Sequence, residues 1–222
     1  RRDAERLAAG GVDAVMIENF GDAPFYPDEV PGHTVADLTA LTRTVREASG
    51  LPTGVNVLRT DGPAAVAVAA AADAAFVRVN VHIGARVADQ GILEGRAHET
   101  MRLRERVDAD VRLLADVDVK HSAPLADESY EAESVAESAE RGLADGVVVT
   151  GARTGRATPL DRVEAAVERR DTLDLETPVF VGSGVDAGTV EELLGVADGV
   201  IVGTALKRGG DELFNPADRH RR

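Results

Sequence analysis

Short runs rich in Val, Ile and Leu alternate with longer stretches rich in Ala, Glu and Arg along almost the whole chain, and few folds accommodate that rhythm. Strands are expected over 14–19, 53–59, 75–80, 111–120, 146–150, 178–183 and 199–204. Helices are expected over 2–9, 33–49, 63–72, 95–107, 130–141, 159–170 and 186–195, the first of them closing at Gly10 and Gly11. Unbroken apolar runs such as 147–149 and 179–181 suit a parallel sheet covered on both faces. Two architectures meet these terms, a (β/α)8 TIM barrel and an open doubly wound parallel sheet. The barrel is favoured by the glycine-rich turns that end the last two strands. Its first strand is then missing from this chain, because the helix at 2–9 has no strand ahead of it. With 222 residues, 44% of them hydrophobic, the chain supports one sizeable core, and a single domain over 1–222 is expected.

Charge narrows the partners. Lys and Arg number 25 against 39 Asp and Glu, giving a formal net charge of −14 that repels phosphate backbones and anionic bilayers. Neither nucleic-acid binding nor membrane insertion is expected. The absence of cysteine excludes disulfides, thiolate metal sites and a cysteine nucleophile. No apolar run reaches the roughly 18 residues of a membrane span, and the opening residues lack the apolar stretch of a secretory signal. A cytoplasmic location is expected, and a homo-oligomer, as for many barrels of this size. All but two of the 25 basic residues are arginines, the exceptions being Lys120 and Lys207. That bias, with abundant Asp, Glu and Ala, suits a protein adapted to concentrated salt, where repulsion among surface carboxylates is screened. A GC-rich genome favouring Arg and Ala codons is the alternative source of the bias.

Two late turns carry the sharpest local signal. Val181-Gly182-Ser183-Gly184-Val185 precedes one helical stretch, and Gly203-Thr204 closes the final strand. Glycines let the backbone approach an anion, and helix-start amides point at it. In barrels the loops after the seventh and eighth strands frequently hold a phosphate. Gly182, Ser183, Gly184, Gly203 and Thr204 are therefore candidate phosphate ligands, with tight strand-to-helix packing as the plainer reading. Lys207, just past the last turn, has the weaker claim to a role there.

Strand parity supplies a second signal. Side chains two residues apart share a face, which groups Arg78 with Asn80, and Asp116 with Asp118 and Lys120; it also sets Glu18 with Met16, Asn56 with Leu58 and Thr150 with Val148. Polar residues near the carboxyl ends of apolar strands are what the active face of a barrel presents. Glu18 and Asp116 are candidate acid/base groups, and Arg78 a candidate stabiliser of negative charge. Lys120 is a candidate for anion binding, oxyanion stabilisation or a Schiff base. Asn19, Asn56, Asn80 and Thr150 are candidates to orient polar groups of a ligand. A purely structural network of Arg78 with Glu18 or Asp116 is the alternative. Asp116, Asp118 and His121 make only a weak metal set, so neither metal nor cofactor is expected. The long connection over 81–94 has the length of a functional or mobile loop, and its Asp89, Gln90 and Glu94 are candidates to close over a ligand.

Taken in order, several stretches resemble the BtpA/SgcQ family. They are Glu-Asn-Phe-Gly-Asp-Ala-Pro-Phe at 18–25, Gly-Val-Asn-Val-Leu-Arg at 54–59, Phe-Val-Arg-Val-Asn-Val at 76–81, Asp-Gln-Gly at 89–91, Glu-Gly-Arg-Ala-His-Glu at 94–99, and Ala-Asp-Val at 115–117 with Val-Lys-His at 119–121. Val149, Thr150 and Gly151 with Thr154 and Gly155, then the two late glycine turns, complete the series. The resemblance implies an aldolase-type TIM barrel with a further strand ahead of the helix at 2–9. The family is named for a role in photosystem I biogenesis, and another branch is described as sugar- or nucleoside-processing; neither label defines a reaction.

The expected ligand is a small phosphorylated metabolite, a sugar phosphate or nucleotide-derived compound, handled by acid/base chemistry such as isomerisation, lyase cleavage or glycosidic hydrolysis. The alternative is a non-catalytic biogenesis or assembly factor, which would carry an exposed apolar patch in place of a convergent polar pocket. Adaptation to salt is checked by circular dichroism. Helical signal should rise from dilute buffer to molar KCl, and full helicity in dilute buffer would count against it.

Overall fold

The computed structural model describes residues 1–119, 121–125, 134–151 and 158–206, the side chains of Asp118 and Ser134 excepted. The helix α1 (Arg2–Ala9) leads into β1 (Val15–Glu18), α2 (Gly32–Ser49), β2 (Thr53–Asn56), α3 (Gly62–Ala72) and β3 (Phe76–Val79). Next come the short strands β4 (Ala85–Ala88) and β5 (Gly91–Glu94), then α4 (Ala97–Arg106), β6 (Arg112–Asp118) and β7 (Ser122–Pro124). The helix α5 (Ser134–Ala136) runs on as a π-turn over Glu137–Arg141, followed by β8 (Gly146–Thr150), α6 (Leu160–Thr172), β9 (Val179–Gly182), α7 (Val190–Leu194) and β10 (Gly199–Ile201). No helix among the described residues is long and apolar enough to cross a membrane.

Strand order decides the architecture. The main sheet runs β1-β2-β3-β6-β8-β9-β10, and all six pairings are parallel. A doubly wound sheet reverses its order at a switch point, whereas here each strand joins the next parallel strand in the chain. Among the described residues this is the order of a (β/α)8 barrel with one strand fewer, and the doubly wound alternative is set aside.

The sheet's two faces are built differently. Val55, Val77, Leu113 and Ala115 pack outward with Ala65, Val66 and Ala69 of α3, all fully buried. Val147, Val149, Val179 and Val181 repeat the arrangement against Val163 of α6. On the opposite parity, large and absent side chains interlock. A Cβ on Gly54 would fall 2.0 Å from the Phe76 ring, and one on Gly146 would fall 2.7 Å from Leu114. The rings of Phe76 and Phe180 therefore occupy room that glycines on neighbouring strands leave. The helix α3 starts where Asp61 accepts a hydrogen bond from the Ala64 amide at 3.0 Å; its other carboxylate oxygen accepts the Val30 amide at 2.9 Å, tying the segment after β1 to that helix start.

The segment 81–94 is an antiparallel hairpin instead of a structureless loop. β4 pairs with β5 on one side and β7 on the other, a three-stranded sheet at the end where β3 and β6 finish. Arg86 and Leu93 are buried, the guanidinium donating to Ser122 Oγ at 2.7 Å, while their neighbours Val87 and Ile92 remain 42% and 57% exposed. The helix expected over 186–195 starts only at Val190, because the Asp186 carboxylate holds the Gly188 and Thr189 amides in a turn.

His82, just past β3, is 1% exposed and donates from Nε2 to the Gly142 carbonyl at 2.8 Å. Burial pulls its pKa below the ordinary histidine value, the hydrogen bond to Gly142 opposes this, and Arg104 adds to the lowering. Below about pH 6.5 the unfolded chain takes up a proton that the folded one resists. Stability present above that pH is thus lost as the pH falls toward the depressed folded value. The thermal midpoint should fall between pH 7 and pH 5 more steeply in the native chain than in His82→Gln; equal slopes would show that His82 titrates as freely folded as unfolded.

Candidate functional site

Of the polar residues picked out by parity, Glu18, Asn56, Arg78, Asn80 and Asp116 converge at the carboxyl ends of β1, β2, β3 and β6. Arg78 on β3 is 5% exposed and grips Asp116 on β6 with two parallel hydrogen bonds, Nε to Oδ1 at 2.7 Å and Nη2 to Oδ2 at 2.9 Å. Its remaining nitrogen, Nη1, lies 3.6 Å from Glu18 Oε1. Asn80 donates to Asp116 Oδ2 at 2.9 Å, and Asn56 donates to Glu18 Oε1 at 3.0 Å. One network therefore spans four strands, and its two carboxylates differ. The Asp116 side chain is 1% exposed and accepts three hydrogen bonds, whereas that of Glu18 is 27% exposed.

Burial alone would push the Arg78 pKa down, but the charge and hydrogen bonds of Asp116, with the charge of Glu18, more than compensate and raise it. Arg59, beyond the end of β2, behaves oppositely. Burial lowers its pKa, against the attraction of Asp89, Asp116 and Glu18, while Arg78 repels it. Parity did not find Arg59, because β2 stops at Asn56 and alternation ceases there. The readable signal was a charged residue directly after the apolar pair Val57-Leu58.

Asn19 is engaged with the chain itself. Its amide accepts from the Leu58 amide at 2.7 Å and donates to the Leu58 carbonyl at 3.2 Å, clamping the end of β1 to the segment after β2. Thr150 is fully buried at the end of β8. Gly182 brings the first glycine turn to the cluster, since a Cβ there would lie 3.4 Å from Arg78 Nη2 and 3.3 Å from Thr150 Cγ2. Thr158 donates toward the carbonyls of Gly182 and Ser183, at 3.0 and 3.2 Å. Ser183 and Gly184 both have positive φ, 81° and 67°, and the Ser183 hydroxyl is buried with no partner among the described residues. Gly203 is exposed, and Thr204 opens a single turn of 3-10 helix.

Lys120, Lys207, Thr154 and Gly155 lie outside the described residues, as does the Asp118 side chain. The pairing register of β6 shifts between Asp116 and Asp118, so the alternation that grouped those two residues does not carry across the bulge. Among the described residues no group of three His, Asp or Glu is arranged to hold a metal ion. A separate cleft of about 1130 Å³ between α4 and the π-turn at 137–141, bordered by His82, Arg104, Glu105 and Arg141, shares no residue with the cluster.

Removing one member of a buried ion pair strands the other, at a cost of about 3–5 kcal/mol. Asp116→Ala should therefore lower stability by that amount in urea unfolding, while Glu18→Gln, at a partly exposed position, should cost less than about 1 kcal/mol. Equal losses would contradict the division between a buried and an open carboxylate.

Comparison with known proteins bears on the family and the fold. The model of the BtpA family matches residues 1–222. An uncharacterized protein of Thermococcus kodakarensis is 46% identical over 94% of this chain and 77% of its own length. The photosystem I biogenesis protein BtpA of Synechocystis is 42% identical over 95% of this chain and 71% of its own. Among solved structures, thiamine phosphate pyrophosphorylase from Pyrococcus furiosus superposes with a TM-score of 0.60 at 16% identity, covering 94% of this chain and 82% of that one. Orotidine 5′-phosphate decarboxylase from Pyrococcus horikoshii does so at 0.59 and 15%, covering 92% and 83%. The two structures share the barrel fold, and the sequence relatives with the full-length family match carry the identification: this chain belongs to the BtpA family.

Proposed function

We propose that this BtpA-family barrel binds a small phosphorylated metabolite, a sugar phosphate or nucleotide-derived compound, and acts on it by acid/base chemistry. The observation that carries the reading is the approach of the Gly182 turn to Arg78, which sets a glycine turn, with a buried Ser183 hydroxyl that no described residue partners, beside a cluster of ionisable groups. The structural relatives named for thiamine phosphate and orotidine 5′-phosphate support the same ligand class.

In this reading the phosphate is held by the backbone of Gly182, Ser183 and Gly184 and by the Ser183 hydroxyl, with Gly203 and Thr204 on the adjoining turn. The helix after the first turn begins too late to aim its amides there, so hydrogen bonds from the turn itself carry the contact. Glu18, the open carboxylate, moves the proton. Asp116 is a positioning residue: its three hydrogen bonds keep it on Arg78 and Asn80, and Arg78 in turn stabilises negative charge beside Glu18. Lys120, whose position follows β6, keeps its candidacy as an anion stabiliser.

A second reading, an assembly factor, is favoured by the name of the Synechocystis relative and by the outward apolar row of Ala123, Val87 and Ile92 across the small sheet. A thermal-shift screen in molar KCl separates the two. A phosphorylated ligand at a hundred times its dissociation constant adds about 2.7 kcal/mol, a rise of roughly 5–10 °C for a chain of this size. Ser183→Ala should weaken that ligand about tenfold or more. No response to inorganic phosphate, sugar phosphates or nucleotides would favour the assembly reading.

A further inference from the structure

Asn56 and Asn80 are 1% and 3% exposed, yet each satisfies only one end of its amide. Asn56 gives Nδ2 to Glu18 and Asn80 gives Nδ2 to Asp116. An ionised carboxylate only accepts hydrogen bonds, so the NH₂ group of each asparagine must face it and the orientation of both amides is fixed. Their Oδ1 atoms are then buried acceptors to which no described protein group donates. Arg78 cannot turn to serve them, since Nε and Nη2 are held by Asp116 while Nη1 faces Glu18. A buried acceptor without a donor is costly, and here two stand at the same end of the barrel, Asn56 level with Arg78 across the β2–β3 pairing and Asn80 two residues further along the chain.

Charge limits what can answer them. Glu18 and Asp116 already face Arg78, and the same two carboxylates with Asp89 act on Arg59. An incoming carboxylate would meet two amide oxygens and Glu18 where cations are already opposed. An ammonium would meet the acceptors but also two guanidinium groups. A hydroxyl donates to an amide oxygen and accepts in return, with no charge to balance.

Resting on the proposed site, we infer that the end of the ligand remote from the phosphate is a polyol, two of whose hydroxyls donate to Asn56 Oδ1 and Asn80 Oδ1. The ligand class narrows to sugar and sugar-alcohol phosphates. Phosphorylated carboxylic acids and amines are excluded.

The test is a calorimetric titration of the full chain in molar KCl with ribose 5-phosphate, phosphoglycolate, phosphoethanolamine, inorganic phosphate, and unphosphorylated ribose and xylitol. Ribose 5-phosphate should bind at least tenfold more tightly than inorganic phosphate, phosphoglycolate or phosphoethanolamine. Asn80→Ala, checked for native circular dichroism, should cut that advantage at least fivefold. Phosphoglycolate or phosphoethanolamine matching ribose 5-phosphate would overturn the inference and leave phosphate binding intact. Binding of ribose or xylitol with no response to any phosphorylated compound would uphold the polyol end and overturn the phosphate. No binding by any polyol, phosphorylated or free, would overturn the inference.

Discussion

The bidentate bond between Arg78 and Asp116 organises the carboxyl end of the barrel. A guanidinium taken out of solvent must be opposed by a carboxylate, and here one carboxylate takes two of its nitrogens in a planar fork. The consequences run outward from that fork. Asp116 has an oxygen left for Asn80, which orients that amide. Arg78 has a nitrogen left toward Glu18, and Glu18 in turn orients Asn56. The positions of five polar side chains on four strands therefore follow from one pair. The pair itself is out of solvent, while the carboxylate at its border is open to it.

Much of this was legible in the chain. The alternation of apolar runs with Ala- and Glu-rich stretches located all seven strands of the parallel sheet, because a strand covered on both faces must be continuously apolar. Polar interruptions in such strands are conspicuous for the same reason. Glu18, Arg78, Asn80 and Asp116 stood out by type and by parity, and all four meet in the network. The two readings weighed for Arg78, structural pairing and a functional cluster, are compatible: it pairs structurally, and the pair supports the rest.

Other features were illegible for local reasons. The hairpin over β4 and β5 has strands of four residues, too short for alternation to rise above composition, and its pairing with β7 is non-local. The bulge between Asp116 and Asp118 breaks the period on which the parity argument rests, and nothing in Asp-Val-Asp announces it. Arg59 follows the last paired residue of β2, where side-chain direction is set by tertiary contacts instead of by a strand. Asn19 was read by type as a ligand group, but an asparagine is equally suited to clamp a backbone, and only the position of Leu58 distinguishes the uses.

The interlocked interior of the sheet restricts how such a barrel can change over time. Gly54 and Phe76 are two halves of one solid, as are Gly146 and Leu114. Enlarging the glycine alone collides with its neighbour, and trimming the neighbour alone opens a void, so each half holds the other at its present size. Drift between alternative fillings must pass through a penalised intermediate or move both positions together. The barrel's floor is therefore an anchored layer beneath the polar network of the rim.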